Sequence, residues 1–180
     1  MTRLPRIRLL ALLLVLSAVL ASGAAAQESA KSDAPAATAF DRLAALAGDW
    51  IDVEGTFGTK DQVAVLYRLT GNKSAVVETL FPGQPHEMVT VYHKDGNDLV
   101  LTHYCATGNQ PRMRAKTVTG DRISFDFDGG TNLDPAVDVH MHQTWMEFLS
   151  KDEIRGEWIG WDKGKPSDHI VKYHIRRKVD

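Results

Sequence analysis

From Asp49 onward, hydrophobic and polar positions alternate with a period of two. In 61–69, Val63, Val65, Tyr67 and Leu69 share one face opposite Arg68. In 121–127, Ile123, Phe125 and Phe127 oppose Arg122, Ser124 and Asp126, and in 169–178 His169, Val171, Tyr173 and Ile175 oppose Lys172, His174 and Arg176. A strand points successive side chains to opposite faces, so this pattern sets one face toward a core and the other toward water. The same reading predicts strands over 49–57, 61–69, 74–81, 87–94, 98–106, 112–118, 121–127, 139–149, 153–161 and 169–178. Turn residues separate them: Gly71-Asn72, Pro82-Gly83, Asp95-Gly96-Asn97, Gly108-Asn109-Gln110-Pro111, Gly120-Asp121, Asp128-Gly129-Gly130, Lys151-Asp152 and Lys163-Gly164-Lys165-Pro166. Strands 98–106 and 139–149 are mixed on both faces, as the wall of a barrel with a partly polar interior, or an irregular edge strand, would be. No helical stretch is long enough for a crossover between parallel strands. The prediction is an all-β chain, a single antiparallel up-and-down β-barrel of about ten strands with a short N-terminal helix.

That helix is read from Phe40, Leu43 and Leu46, which recur at helical spacing, with Thr38 or Asp41 as cap and Gly48 as C-terminal stop. Residues 27–38 are small, polar and Ala-rich and read as a disordered linker, leaving 39–180 as the barrel domain. Residues 1–26 read as a secretory signal peptide. Arg3, Arg6 and Arg8 precede the apolar run Leu9 to Leu20, and Ala24 and Ala26 supply a small-x-small cleavage site before Gln27. The expected location is therefore periplasmic or secreted, with no membrane anchoring after cleavage.

The leader holds three of the 21 basic residues and none of the 23 acidic ones, so the remainder is net acidic, near −5 with histidine neutral. This balance excludes a nucleic-acid partner, which needs a basic footprint. Cys105 is the single cysteine, so no intrachain disulfide forms, and a lone cysteine in a strand pattern reads as a small buried hydrophobe.

The helix, then Gly48-Asp49-Trp50 opening the first strand, then an all-β meander, resembles the calycin superfamily of lipocalins and fatty-acid-binding proteins. That resemblance implies that Trp50 closes one end of the barrel beneath a basic residue of the last strand, Arg176 or Arg177. The stretches His86-Glu87-Met88, Leu101-Thr102-His103-Tyr104-Cys105, Gly108-Asn109-Gln110-Pro111-Arg112-Met113 and His140-Met141-His142 resemble a group of secreted bacterial lipocalin-like proteins with no activity to carry over. His169-Ile170-Val171-Lys172-Tyr173-His174-Ile175-Arg176 resembles the final strand of nitrobindin-like barrels, H-L-x-A-x-L-x-R, which implies haem ligation by His169. Lys172 and His174 depart from that pattern.

Candidate chemistry centres on histidines. His140 and His142 lie two apart with Asp138 before them, a spacing at which a His-x-His pair on one strand can chelate a divalent metal, with His103 or His86 as third ligand. His103 and Cys105 share a face, with Tyr104 on the other. Glu157, neighbour to an inward Trp158, reads as a surface residue. G-x-S-x-G, H-E-x-x-H, P-loop, C-x-x-C and G-x-G-x-x-G motifs are all missing. The leading expectation is an exported barrel that binds a small, partly apolar ligand through His103, His142, His169 and Tyr173. The alternatives are a haem or metal site built on His140 and His142 or on His169, an enzyme with acid–base residues in the barrel mouth, and an interaction module. No catalytic residue is assigned.

Overall fold

A computed structural model describes residues 34–179, with side chains from 38 onward. The signal peptide and most of the linker, as read above, lie outside the described residues. Helix α1 (Ala34–Ala44) is followed by ten strands: β1 (Gly48–Asp52), β2 (Val63–Thr70), β3 (Ala75–Leu80), β4 (Met88–Asp95), β5 (Asp98–Tyr104), β6 (Gln110–Val118), β7 (Arg122–Thr131), β8 (His140–Ser150), β9 (Glu153–Asp162) and β10 (Lys165–Arg177). Each strand pairs antiparallel with its neighbours in sequence, and β10 pairs with β1, so the sheet closes on itself. Closure removes both sheet edges and satisfies their backbone groups. The barrel is consistent with a lipocalin-like fold.

All ten expected strands are present, with three informative boundary differences. β1 stops at Asp52, because the Asp52 carboxylate accepts hydrogen bonds from the backbone N–H groups of Gly55 (2.9 Å) and Phe57 (3.0 Å) and bends the chain into a loop. β10 starts four residues early, because Lys163 and Gly164, at φ of 50° and 69°, make a two-residue turn that pairs Lys165 with Asp162. Helix α1 begins at Ala34, inside the segment read as linker. Its alanines are strong helix formers, and Pro35 sits in the first turn, where its missing N–H costs nothing.

The helix plugs one end of the barrel. Ala39, Phe40, Leu43 and Leu46 are buried against the ends of β3 to β6. Trp50 is fully buried there and donates its indole N–H to the Leu46 carbonyl at 2.7 Å. Of the two candidate arginines, Arg177 caps this end. Its guanidinium lies 4.7 Å above the Trp50 ring and donates to the carbonyls of Ala45 (2.8 Å) and Ala47 (2.6 Å) and to Asp152 (2.8 Å). A cation here satisfies carbonyls that the end of a helix leaves unpaired. The opposite end of the barrel is open.

Candidate functional site

The interior is apolar at the plugged end and becomes polar halfway up. Register decides how. Tyr67 of β2 stands directly opposite Glu78 of β3, Glu78 opposite Thr90 of β4, and Thr90 opposite His103 of β5. All four residues face inward, and directly opposed side chains in an antiparallel sheet lie within contact distance. The result is one continuous row across four strands. The Tyr67 hydroxyl donates to Glu78 Oε1 (2.7 Å), and the Tyr92 hydroxyl, from the next inward position of β4, donates to Oε2 (2.9 Å). Thr90 faces Glu78 across the register, and Thr90 Oγ1 lies 3.0 Å from His103 Nδ1.

Burial shifts every titratable member of this row. Glu78 is 2% exposed, and its desolvation raises the carboxyl above its ordinary value against the lowering pull of the Tyr67, Tyr92 and Thr90 hydroxyls. Burial first, and the Glu78 charge second, push the Tyr67 and Tyr92 hydroxyls well up, so both remain donors. His103, 1% exposed, is lowered to about 4 by desolvation and is neutral at physiological pH. Its ring packs on Trp158 with centroids 4.7 Å apart, and its Nε2 has no hydrogen-bond partner among the described residues.

Above the row, at the open end, lies a cavity of about 280 Å³. His103 forms part of its wall, with Leu80, Met88, Met141, Trp158 and Val171, and the wall is almost wholly apolar. Two loops complete it. The Asp52-anchored loop sets Phe57 over the opening, edge-on to Phe81 (5.0 Å) and stacked above Tyr173 (6.1 Å). The loop after β5 carries Cys105, Ala106 and Thr107, and Asn109 ties it to the residue preceding β8 by donating to the Val139 carbonyl at 2.8 Å. Asn109 is 4% exposed, so the Gly-Asn-Gln-Pro stretch is both a turn and a strut for the cavity wall. A second hollow beside Arg42, Phe148 and Arg177 is larger at about 550 Å³, but it is an open surface cleft with a more polar lining.

The structure distributes the expected site residues unevenly. His103 lines the cavity wall, and His169 stands exposed at the mouth. Tyr173 lies beneath Phe57, its hydroxyl 3.5 Å from the Trp145 carbonyl, and burial raises its pKa well above the ordinary value. His142 sits outside the cavity lining, stacked between Trp161 (3.6 Å) and Phe127 (4.7 Å). His140 does line the cavity. Cys105 is half-buried in the wall, and Glu157 faces outward, accepting from Trp145 Nε1 at 3.2 Å.

His140 and His142 bond to each other, with His140 Nε2 2.9 Å from His142 Nδ1, and His140 Nδ1 lies 2.8 Å from the Asp138 carbonyl. A carbonyl only accepts, so His140 carries its proton on Nδ1, and His142 must then donate from its own Nδ1. This chain leaves His142 Nε2 as the pair's one free lone pair. Burial, then the neighbouring His140, lowers His142 to about 4. No group of three or more His, Cys, Asp and Glu side chains is gathered for a metal ion among the described residues. Haem fits no better. His169 is at the exposed rim, and a macrocycle of that size would have to force open a cavity of about 280 Å³.

The sequence reading missed Glu78, Thr90, Tyr67 and Tyr92 as a unit. One signal was present: Val76, Glu78 and Leu80 alternate in β3, so a core-facing Val76 and Leu80 carry Glu78 inward with them. Comparison with models of known families and with curated proteins gives no match for this chain.

Proposed function

We propose that this protein is an exported β-barrel that holds one small, largely apolar molecule at its open end. The cavity carries the reading. It has about 280 Å³ of space, near the lower end of the roughly 300–1,000 Å³ typical of ligand pockets, with apolar walls and very few polar groups. An apolar cavity of about 150 Å³ already takes up benzene, so this one has room for a somewhat larger guest. The residues we assign to ligand contact are His103 and His169, with Tyr173 supporting Phe57 at the lid and His142 supporting His140 in the wall. Export rests on the leader sequence, and the resemblance to secreted lipocalin-like barrels agrees with it.

Native mass spectrometry of the chain exported under its own leader is the test. The reading expects a mature mass beginning at Gln27, accompanied by a species heavier by one small organic molecule that solvent extraction removes. Retention of the leader would refute export. A protein that carries no such molecule from its host and binds none from a panel of small aromatic and aliphatic compounds would refute ligand binding.

A further inference from the structure

We infer that the ligand carries a hydrogen-bond donor, a hydroxyl or an aromatic N–H, and that this donor docks on Nε2 of His103. The inference rests on the ligand reading above and narrows it to a chemical class: compact, apolar molecules with one donor group, such as phenols and indoles.

Glu78 accepts from the hydroxyls of Tyr67 and Tyr92, and Thr90 faces it from the directly opposed position of β4. Thr90 has one hydroxyl proton. In this proposal that proton is directed at Glu78, which faces Thr90 across the register, so Thr90 Oγ1 accepts from His103, 3.0 Å away, and the His103 proton sits on Nδ1. The neutral ring is thereby fixed in one tautomer, and Nε2 presents a bare lone pair. A histidine whose back nitrogen is tied through a hydroxyl to a carboxylate is also a stronger acceptor at its front nitrogen.

That front nitrogen is buried and unpaired. An acceptor left unsatisfied in an apolar setting is costly, and natural interiors avoid it unless something pairs with it. His103 belongs to the cavity wall, and the cavity is the open space beside it. Nε2 itself exposes less than 1 Å², so a guest reaches it by displacing a little of the wall. Met88 and Met141 are the unbranched, flexible side chains of that wall. A donor arriving there converts an unsatisfied atom into a bonded one. A guest of the same shape without a donor leaves that atom unpaired, and sites of this kind discriminate against such analogues.

The probes are indole and 1-benzofuran, which share a shape and differ in the N–H donor. Calorimetric titration of the full exported chain should give about tenfold tighter binding of indole than of benzofuran. His103→Phe, which keeps an aromatic ring and removes the acceptor, should lower indole to the benzofuran affinity and leave benzofuran unchanged. Thr90→Val should shrink the difference by freeing the tautomer. One measurement needs no variant: ¹⁵N NMR of the imidazole in the wild-type protein should show His103 Nε2 unprotonated, with its resonance moving when indole is added and not when benzofuran is. Equal affinities for the two probes, or a proton on Nε2 in the free protein, would overturn this inference while leaving the ligand reading intact. Failure of both probes to bind at millimolar concentration would overturn the ligand reading and the inference with it.

Discussion

Acidification should remove the stability that the buried, neutral ring of His103 contributes to this barrel. The unfolded ring titrates near 6.5, whereas burial holds the folded ring at about 4. Between these values the unfolded chain binds about one more proton than the folded one, so stability falls as pH falls, by about 1.4 kcal/mol per pH unit. The loss begins near pH 6.5, amounts to about 3 kcal/mol at pH 4 and levels off below that. His103 is 1% exposed, so solvent screening takes little from this figure. Glu78 acts in the opposite sense. Its folded pKa is raised, so the folded state takes up its proton first and gains stability as pH falls through that value. The clean observable is therefore a difference between two proteins. Urea unfolding of the wild type and of His103→Gln, followed by tryptophan fluorescence at pH 7.0, 5.5 and 4.5, supplies it. By pH 4.5 the wild type should have lost about 2.5 kcal/mol more than the variant. His142 is also lowered to about 4, but it is present in both proteins, so its smaller, partly screened contribution cancels. Parallel stability curves from pH 7.0 to 4.5 would refute the argument.

Three further outcomes follow from other parts of the barrel. At Gly156 a β-carbon would collide with the Tyr173 hydroxyl and the Trp145 carbonyl, so Gly156→Ala should cost about 1–3 kcal/mol in urea unfolding and disturb the Phe57–Tyr173 contact at the lid. Arg177→Met keeps the stem over Trp50 but leaves the carbonyls of Ala45 and Ala47 unpaired, so it should lower stability by about 1.5–3 kcal/mol, read by the same assay. Cys105 lines the cavity, so saturating indole should slow its modification by a disulfide reagent, and an unchanged rate would place the guest elsewhere.

Much of the fold was legible because barrel strands advertise themselves locally. Two-residue alternation is broken by Gly-, Asn- or Pro-containing turns at every boundary but Lys151-Asp152, and Gly48-Asp49-Trp50 with a basic last strand anticipated the plugged end. The interior row was harder to see. Its members come from four strands, Tyr67, Glu78, Thr90 and His103, and only register brings them together. Register depends on turn lengths and bulges, which sequence spacing leaves open by a residue. One residue of slip turns every side chain to the other face. The histidines show the same limit. The spacing of His140 and His142 suggested a chelating pair, whereas a bulge between Met141 and Gln143 and the Asp138 carbonyl set the two rings in a hydrogen-bonded chain. His169 reads as inward by alternation, yet the irregular pairing between Pro166 and Ile170 leaves it exposed at the rim.

The central claim is that the open end of the barrel, and not the cleft beside Arg177, receives a small apolar guest. Backbone amide NMR of the folded protein titrated with indole tests it most directly. The account predicts saturable shifts in one-to-one proportion, confined to residues around the cavity such as His103, Cys105, Met141 and Val171, with Leu43 and Trp50 at the plugged end unmoved. Shifts centred on Arg42, Phe148 and Arg177, or no saturable shifts at all, would contradict it.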